Sequence, residues 1–431
     1  MLVRLPPTAL CGLSLLLLAA IGDSRSINDV RSNSKVHRET VYDPECDMTV
    51  PQIINRWGYP VEEVIVGTYD KYLLTMHRIP YGKDGPSDEP RPVIFLQHGL
   101  EDSSFSFVAN LPEQSAGFLF ADWGFDVWMG NMRGNIYSRD HVIYDPKSKE
   151  FWNFSFDEMV QYDLDAMINE VLKRTNQTAL YYAGHSQGTL TMFSKLSRDP
   201  AFHNKIKHFF ALAPVGTVKY IEGMLDVLAK YLWEEVKFFY WLLGDGEFLP
   251  TGRLYDMIAE YVCEETGGSA FCDNLLTLIM GVDSNQLNST RNDVYFSHIP
   301  AGTSTKNVIH WVQMVRSGIL RAYDYGSDNN KYYGQKTPPI YDVSLDRAKI
   351  SLYWSENDWL ADAKDIEEYL LPPLKKQYVV ENVKLEDFNH YDFLIGLKAA
   401  DQVYRPMYET IMQQENDEKE KAAALRNNVL H

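Results

Sequence analysis

Ser186 stands in "YYAGHSQGTL" (181–190), with Gly184 two residues before it and Gly188 two residues after. A serine framed this way fits a sharp strand-to-helix turn, where the backbone on either side passes too close for a Cβ. Such a turn lifts the hydroxyl clear of the chain. A hydroxyl is a poor nucleophile until a base takes its proton, and the base needs an acid to orient it. The chemistry implied is acyl transfer through a serine ester. Five residues alone also match by chance in loops, so the surrounding chain has to supply the context.

In hydrolases built on a parallel sheet the partners follow the serine in the order acid, then histidine. Of 11 histidines, only His390 and His431 lie beyond "WSENDWLAD" (354–362), and His431 ends a charged tail. His390, in "EDFNHYDFLIG" (386–396), is the expected base. Asp358 is the expected acid, a short turn after the apolar run "ISLYWS" (350–355), with Glu356 and Asp362 as nearby rivals. An acyl intermediate also needs N–H donors aimed at its developing oxyanion. The backbone N–H of Gln187, directly after the nucleophile, is one candidate. Leu100, in "QHGL" (97–100), is the other. His98 and His185 sit beside these turns and are expected to bond or pack there rather than to react.

The elements that must hold these residues can be read from periodicity. "VIFLQHG" (93–99), "GFDVWMGN" (124–131), "ALYYAG" (179–184) and "HFFALAP" (208–214) are short apolar runs of the buried-strand type, as are "ISLYWS" and "QYVVENV" (377–383). "VEEVIVGTYDKYLLTMHRIP" (61–80) reads as a hairpin turning at Tyr69–Lys71. A helix is expected over 156–174, opened by the capping box Ser155…Glu158 and striped by Leu164, Ile168, Val171 and Leu172. Leu190, Phe193 and Leu196 stripe another helix after Ser186. Strands alternating with helices give an α/β fold with a mostly parallel sheet.

From Gly216 to Leu345 there are 130 residues, far more than a crossover needs, so this span is expected to be an inserted subdomain. It opens with "YIEGMLDVLAKYLWEEVKFFYWLLG" (220–244), apolar at helical spacing and dense in aromatics. Part of it is expected to lie over Ser186 as a lid, hinged near Gly244 and Gly246, unless the stripe is ordinary core.

The chain has 431 residues, 45% hydrophobic, with a net charge of −18. That is enough for a large core, and the acidity argues against nucleic-acid binding. Arg4 followed by "ALCGLSLLLLAAI" (9–21) reads as a signal peptide with cleavage near Ala20–Gly22, or at Ser24. No later apolar stretch is long enough for a transmembrane anchor. Export is supported by three acceptor sequons, at Asn153, Asn176 and Asn288. Cys11 would leave with the signal, and an odd number, Cys46, Cys263 and Cys272, would remain. Cys263 and Cys272 lie nine residues apart, a loop a disulfide could close. No metal-ligand spacing or phosphate-binding glycine loop is present.

Taken together, "FLQHGL", "GFDVWMGNMRGN", "GHSQGT", "FFALAPV", "AGTSTKNVIHW", "NDWLAD" and "HYDFLIG" give the chain a specific resemblance to the acid lipases, the family of lysosomal acid lipase and gastric lipase. It runs from about "DPECDM" (43–48) to about Met412. The resemblance implies the triad Ser186, Asp358 and His390, oxyanion donors at Leu100 and Gln187, and a disulfide similar to Cys263–Cys272. It implies an α/β-hydrolase core with a large, mainly helical cap and lid. The matching organisation is a signal peptide (1–22), a loose lead-in (23–45), core (46–215), cap (216–345), core again (346–412) and a charged tail (413–431). The activity implied is hydrolysis of neutral lipid esters, triacylglycerols or cholesteryl esters, at a lipid–water interface without metal or cofactor. Glu101, just after the oxyanion residue, departs from the apolar residue usual there, and Ser355-Glu356 replaces common glycines. Two other classes fit less well: a non-catalytic lipid carrier on the same fold, which would typically lack the serine or histidine, and an esterase for small soluble esters, which would not need so aromatic a cap.

Overall fold

The computed structural model describes residues 43–248, 284–345 and 347–429. Eleven strands are described. β1 (Glu62–Gly67) and β2 (Tyr72–Ile79) form the hairpin, with Lys71 at φ 79° in its turn. β3 (Val93–Gln97) and β4 (Asp126–Gly130) follow, then the two-residue β5 (Asp140–His141) beside β2. β6 (Leu180–His185) and β7 (Ile206–Leu212) precede the insertion, which holds a small pair, β8 (Glu247–Phe248) and β9 (Thr303–Ser304). β10 (Ile350–Ser355) and β11 (Val379–Leu385) resume the main sheet.

The sheet order is β1-β2-β4-β3-β6-β7-β10-β11. From β4 to β11 every neighbouring pair is parallel, and only β2 runs against the rest, antiparallel to β1, β4 and β5. The reason lies in composition. Every residue of β3, β4, β6 and β10 is buried, as suits strands covered on both faces by helices. The consequence is functional: the ends of these parallel strands, at Gln97, Gly130, His185, Leu212, Ser355 and Leu385, lie along one edge of the sheet, staggered by no more than two residues between neighbours. The loops after β3, β6, β10 and β11 carry Leu100, Ser186, Asp358 and His390.

The capping box forms, with the Ser155 N–H donating to Glu158 Oε2 at 2.7 Å. The helix it opens is not uniform. An α turn (Phe156–Glu158) passes through a π turn (Met159–Asp163) into the α-helix Leu164–Thr175. The widened turn faces Asp163 toward Arg133, whose backbone N–H, Nε and Nη2 all donate to it at 2.6–3.0 Å. The last strand begins two residues later than its apolar run suggests. It is an edge strand with alternating burial, and its register is held by Tyr353 Oη on Glu381 and Trp354 Nε1 on Asn382. The charged tail is part of a helix, Arg405–Val429, and its first turns dock: Glu415 accepts from Tyr181 Oη at 2.8 Å and from Lys207 Nζ at 2.6 Å.

Between β7 and β10 the described elements are helices apart from β8 and β9. Met224–Lys230 and Trp233–Leu243 pack on Thr305–Ser317, with Arg316 donating to the Ala229 carbonyl at 2.7 Å. Asn292–His298 and Asn329–Tyr333 complete the set. The expected bond between Cys263 and Cys272 falls outside the described residues, as do the signal segment and most of the lead-in; Cys46 carries a free thiol. Asn153 and Asn176 are exposed and Asn288 is half-buried.

Candidate active site

Ser186 adopts φ 52° and ψ −117°, a region that ordinary residues avoid and that the surrounding structure must enforce. Its own N–H donates to the Leu212 carbonyl on β7 at 3.1 Å, while its carbonyl receives the N–H groups of Thr189 and Leu190 to start the helix Gln187–Arg198. The flanking glycines are required sterically. A Cβ on Gly184 would lie 2.7 Å from the Gly188 carbonyl, and one on Gly188 would lie 2.5 Å from the Gln97 carbonyl oxygen. Strand β6, the helix and the end of β3 therefore meet without room for a methyl group.

His390 Nδ1 lies 2.9 Å from both carboxylate oxygens of Asp358. Both residues are buried. Burial alone would raise the Asp358 carboxyl, but the facing His390 and the N–H groups of Leu360 and Ala361 outweigh it, so the carboxyl sits below its ordinary value. The two rivals are engaged elsewhere: Asp362 caps the Lys364 N–H, and Glu356 pairs with Lys384. His390 reaches the nucleophile's neighbourhood through His185, the residue before Ser186. The two imidazole centroids are 4.7 Å apart, and His185 Nε2 bonds the His390 carbonyl at 2.8 Å. Burial, with the neighbouring His390, pushes His185 down to about 3, which keeps it neutral and suits it to a positioning role. His98 is likewise structural. It bonds the Gly99 carbonyl through Nδ1, and its Nε2 accepts the Met132 N–H. Burial pushes it down to about 4.

The loop after β3 passes directly over the nucleophile, since a Cβ on Gly99 would come within 3.1 Å of Ser186 Cβ. Leu100 follows, and then two acids. Glu101 takes φ 57°, and burial pushes its carboxyl well above the usual range. Burial also pushes Asp102 up to about 7, against the opposing effect of donors from Ser106 and Ser103. Neither a metal-ligating cluster nor a helix long and apolar enough to cross a membrane is found among the described residues.

The arrangement sets an imidazole held by a buried carboxylate at the sheet edge that carries the strained Ser186. Sequence reasoning missed the supports of Gln187. Its Oε1 accepts from Asn307 Nδ2 at 2.9 Å and from Trp311 Nε1 at 2.7 Å. The only signal was their place in "AGTSTKNVIHW", a stretch that resembles the family but carries no motif of its own.

Comparison with known proteins places the chain in a family. Residues 92–396 match the alpha/beta hydrolase fold family, and residues 50–111 match the partial alpha/beta-hydrolase lipase region. The chain belongs to the α/β-hydrolase lipases, hydrolases of carboxylic esters. It is 53% identical over 370 residues to lipase lipl-5 of Caenorhabditis elegans, covering 84% of this chain and 92% of that one. Lipase lipl-3 of the same organism is 49% identical over 93% of this chain and 97% of its own length. Human gastric triacylglycerol lipase is 42% identical over 85% of this chain and 92% of its own.

Proposed function

We propose that this lipase hydrolyses neutral lipid esters, triacylglycerols or cholesteryl esters, through an acyl-enzyme on Ser186, in an acidic compartment of the secretory route or outside the cell. The observation that carries the reading is the His390–Asp358 pair at 2.9 Å, buried at the same sheet edge as the strained Ser186. His390 takes the Ser186 proton as the oxygen attacks the ester carbonyl. Asp358 keeps the ring oriented and stabilises the imidazolium. The N–H groups of Leu100 and Gln187 receive the oxyanion, and His390 then protonates the leaving alcohol. Water repeats the sequence to release the fatty acid. The gastric triacylglycerol lipases among the relatives support the substrate class, and the aromatic helix Trp233–Leu243 supports a long apolar acyl chain. The sequons and the apolar leader support export.

Ser186→Ala tests the reading. Turnover of emulsified triacylglycerol and of a soluble p-nitrophenyl ester should both vanish with the melting temperature kept. His390→Ala and Asp358→Asn should each lower kcat by roughly 10³-fold or more. A folded Ser186→Ala protein that still turns over would refute it.

A further inference from the structure

One stretch of the insertion, 301–311, holds Gln187 and Glu101, the residue directly after Leu100. On one side, the Ala301 N–H donates to the Glu101 carbonyl at 2.7 Å and the Gly302 N–H donates to Glu101 Oε2 at 3.1 Å. Glu101 is thereby gripped through backbone and side chain directly after Leu100. Its left-handed backbone would otherwise be costly for a residue with a Cβ. The Ala301 carbonyl accepts the Ile136 N–H at 2.9 Å, which ties the same point to the loop after β4. On the other side, Asn307 and Trp311 both donate to Gln187 Oε1. An indole N–H can only donate, so the oxygen of the Gln187 amide must face it, and two donors fill both lone pairs. Asn307 is fixed in turn, since its Oδ1 accepts the Phe156 N–H at 2.9 Å. All three side chains, Gln187, Asn307 and Trp311, are buried.

We propose that 301–311 is a positioning element for the oxyanion site, with Asn307 and Trp311 aiming the Gln187 N–H and Ala301–Gly302 aiming that of Leu100. The inference rests on the acyl-enzyme reading above. Gln187 is the first residue of its helix, where an N–H has no intrahelical acceptor and is available to a ligand. Its direction follows the peptide plane between a strained Ser186 and the anchored Gln187 side chain. An oxyanion donor works only when held within about 0.5 Å of the productive position. The insertion thus completes the catalytic geometry of the core, and "AGTSTKNVIHW" acquires a role.

The test is Trp311→Phe, which keeps an aromatic side chain, smaller than the indole, and removes the indole N–H donor. With p-nitrophenyl butyrate, kcat should fall about 10- to 100-fold with KM unchanged. Labelling of Ser186 by a p-nitrophenyl phosphonate, whose tetrahedral adduct needs the same donors, should slow in parallel. Gln187→Met removes the acceptor from the other side and should give the same signature, and it carries the test should Trp311→Phe fail to fold. The double variant should be no slower than the slower single one. The proposal is overturned by an unchanged kcat, by a KM that rises with kcat intact, or by losses that multiply in the double variant. Ser186→Ala separates the two failures. If it stays active the acyl-enzyme reading falls, whereas if it is inactive and Trp311→Phe is kinetically normal, only the positioning role falls.

Discussion

At the scale of single residues, the nucleophile turn is held by what is missing from it. Three backbone segments converge where Gly184 and Gly188 lack side chains. The contact at Gly188 is with the carbonyls of Gln97 and His98, at 2.5 and 2.9 Å from where a Cβ would lie, and these atoms open the loop that carries Leu100. A flexible side chain could swing away; a strand end cannot. Gly188→Ala should therefore displace the end of β3 and the oxyanion loop with it. Overpacking of this kind costs about 1–3 kcal/mol in stability, and the displacement should lower kcat on a soluble ester by roughly 10²-fold. Thermal melts and steady-state kinetics on the purified variant check both, and wild-type values in each would mean that the turn has more room than the contacts indicate.

At the scale of elements, what could be read in the chain was what a single segment encodes. β3, β4, β6 and β10 are buried on both faces, so each shows as an unbroken apolar run bounded by turn residues. Ser186 was legible from two local glycines, and His390 from chain order and elimination. Asn307 and Trp311 were not, because they meet Gln187 across 120 and 124 residues, and nothing local distinguishes an anchoring indole from a core one. The pair β8–β9 is two residues long on each side, below any periodic signal. The helix Trp233–Leu243 was ambiguous between lid and core, and it divides. Trp233 packs toward the interior under Arg316 and Lys237, and Val236 is buried. Phe238 and Leu242, one turn apart, are each 55% exposed. Exposing two large apolar side chains on one face of a helix suits contact with lipid. Phe238→Ser/Leu242→Ser should lower hydrolysis of emulsified long-chain triacylglycerol at least about fivefold, leave p-nitrophenyl butyrate turnover within about twofold, and leave the melting temperature unchanged. Parallel loss of both activities would make this face ordinary core.

At the scale of the whole molecule, pH acts through two opposed sets of buried groups. Burial holds His77, His185, His208 and His310 down at about 3, and His98 at about 4. In the unfolded chain each would titrate near 6.5, so below that pH unfolding binds protons that the folded state refuses. Their contribution to stability is complete above about pH 6.5 and is lost as pH falls toward 3–4. Glu101 and Asp102 work the other way. Their folded values lie well above the usual range and at about 7, so the folded state keeps protons that the unfolded chain releases. Their contribution is complete below about pH 4 and is lost as pH rises through 7. Near pH 5.5 these five histidines outweigh Glu101 and Asp102, so on their account unfolding should take up protons. The net charge of −18 at pH 7 relaxes on acidification and offsets part of this, but over distances that salt screens beyond about 8 Å. The free energy of unfolding by urea should accordingly rise from pH 5 to pH 6.5, then level off and fall above pH 7 as Glu101 and Asp102 ionise. Asp102→Asn removes one opposing carboxyl, so it should steepen the rise on the acid side and flatten the decline above pH 7. Urea titrations of both proteins at half-unit steps measure this directly, and a wild-type stability that is flat or falls between pH 5 and 6.5 would show that the buried histidines do not dominate the proton balance.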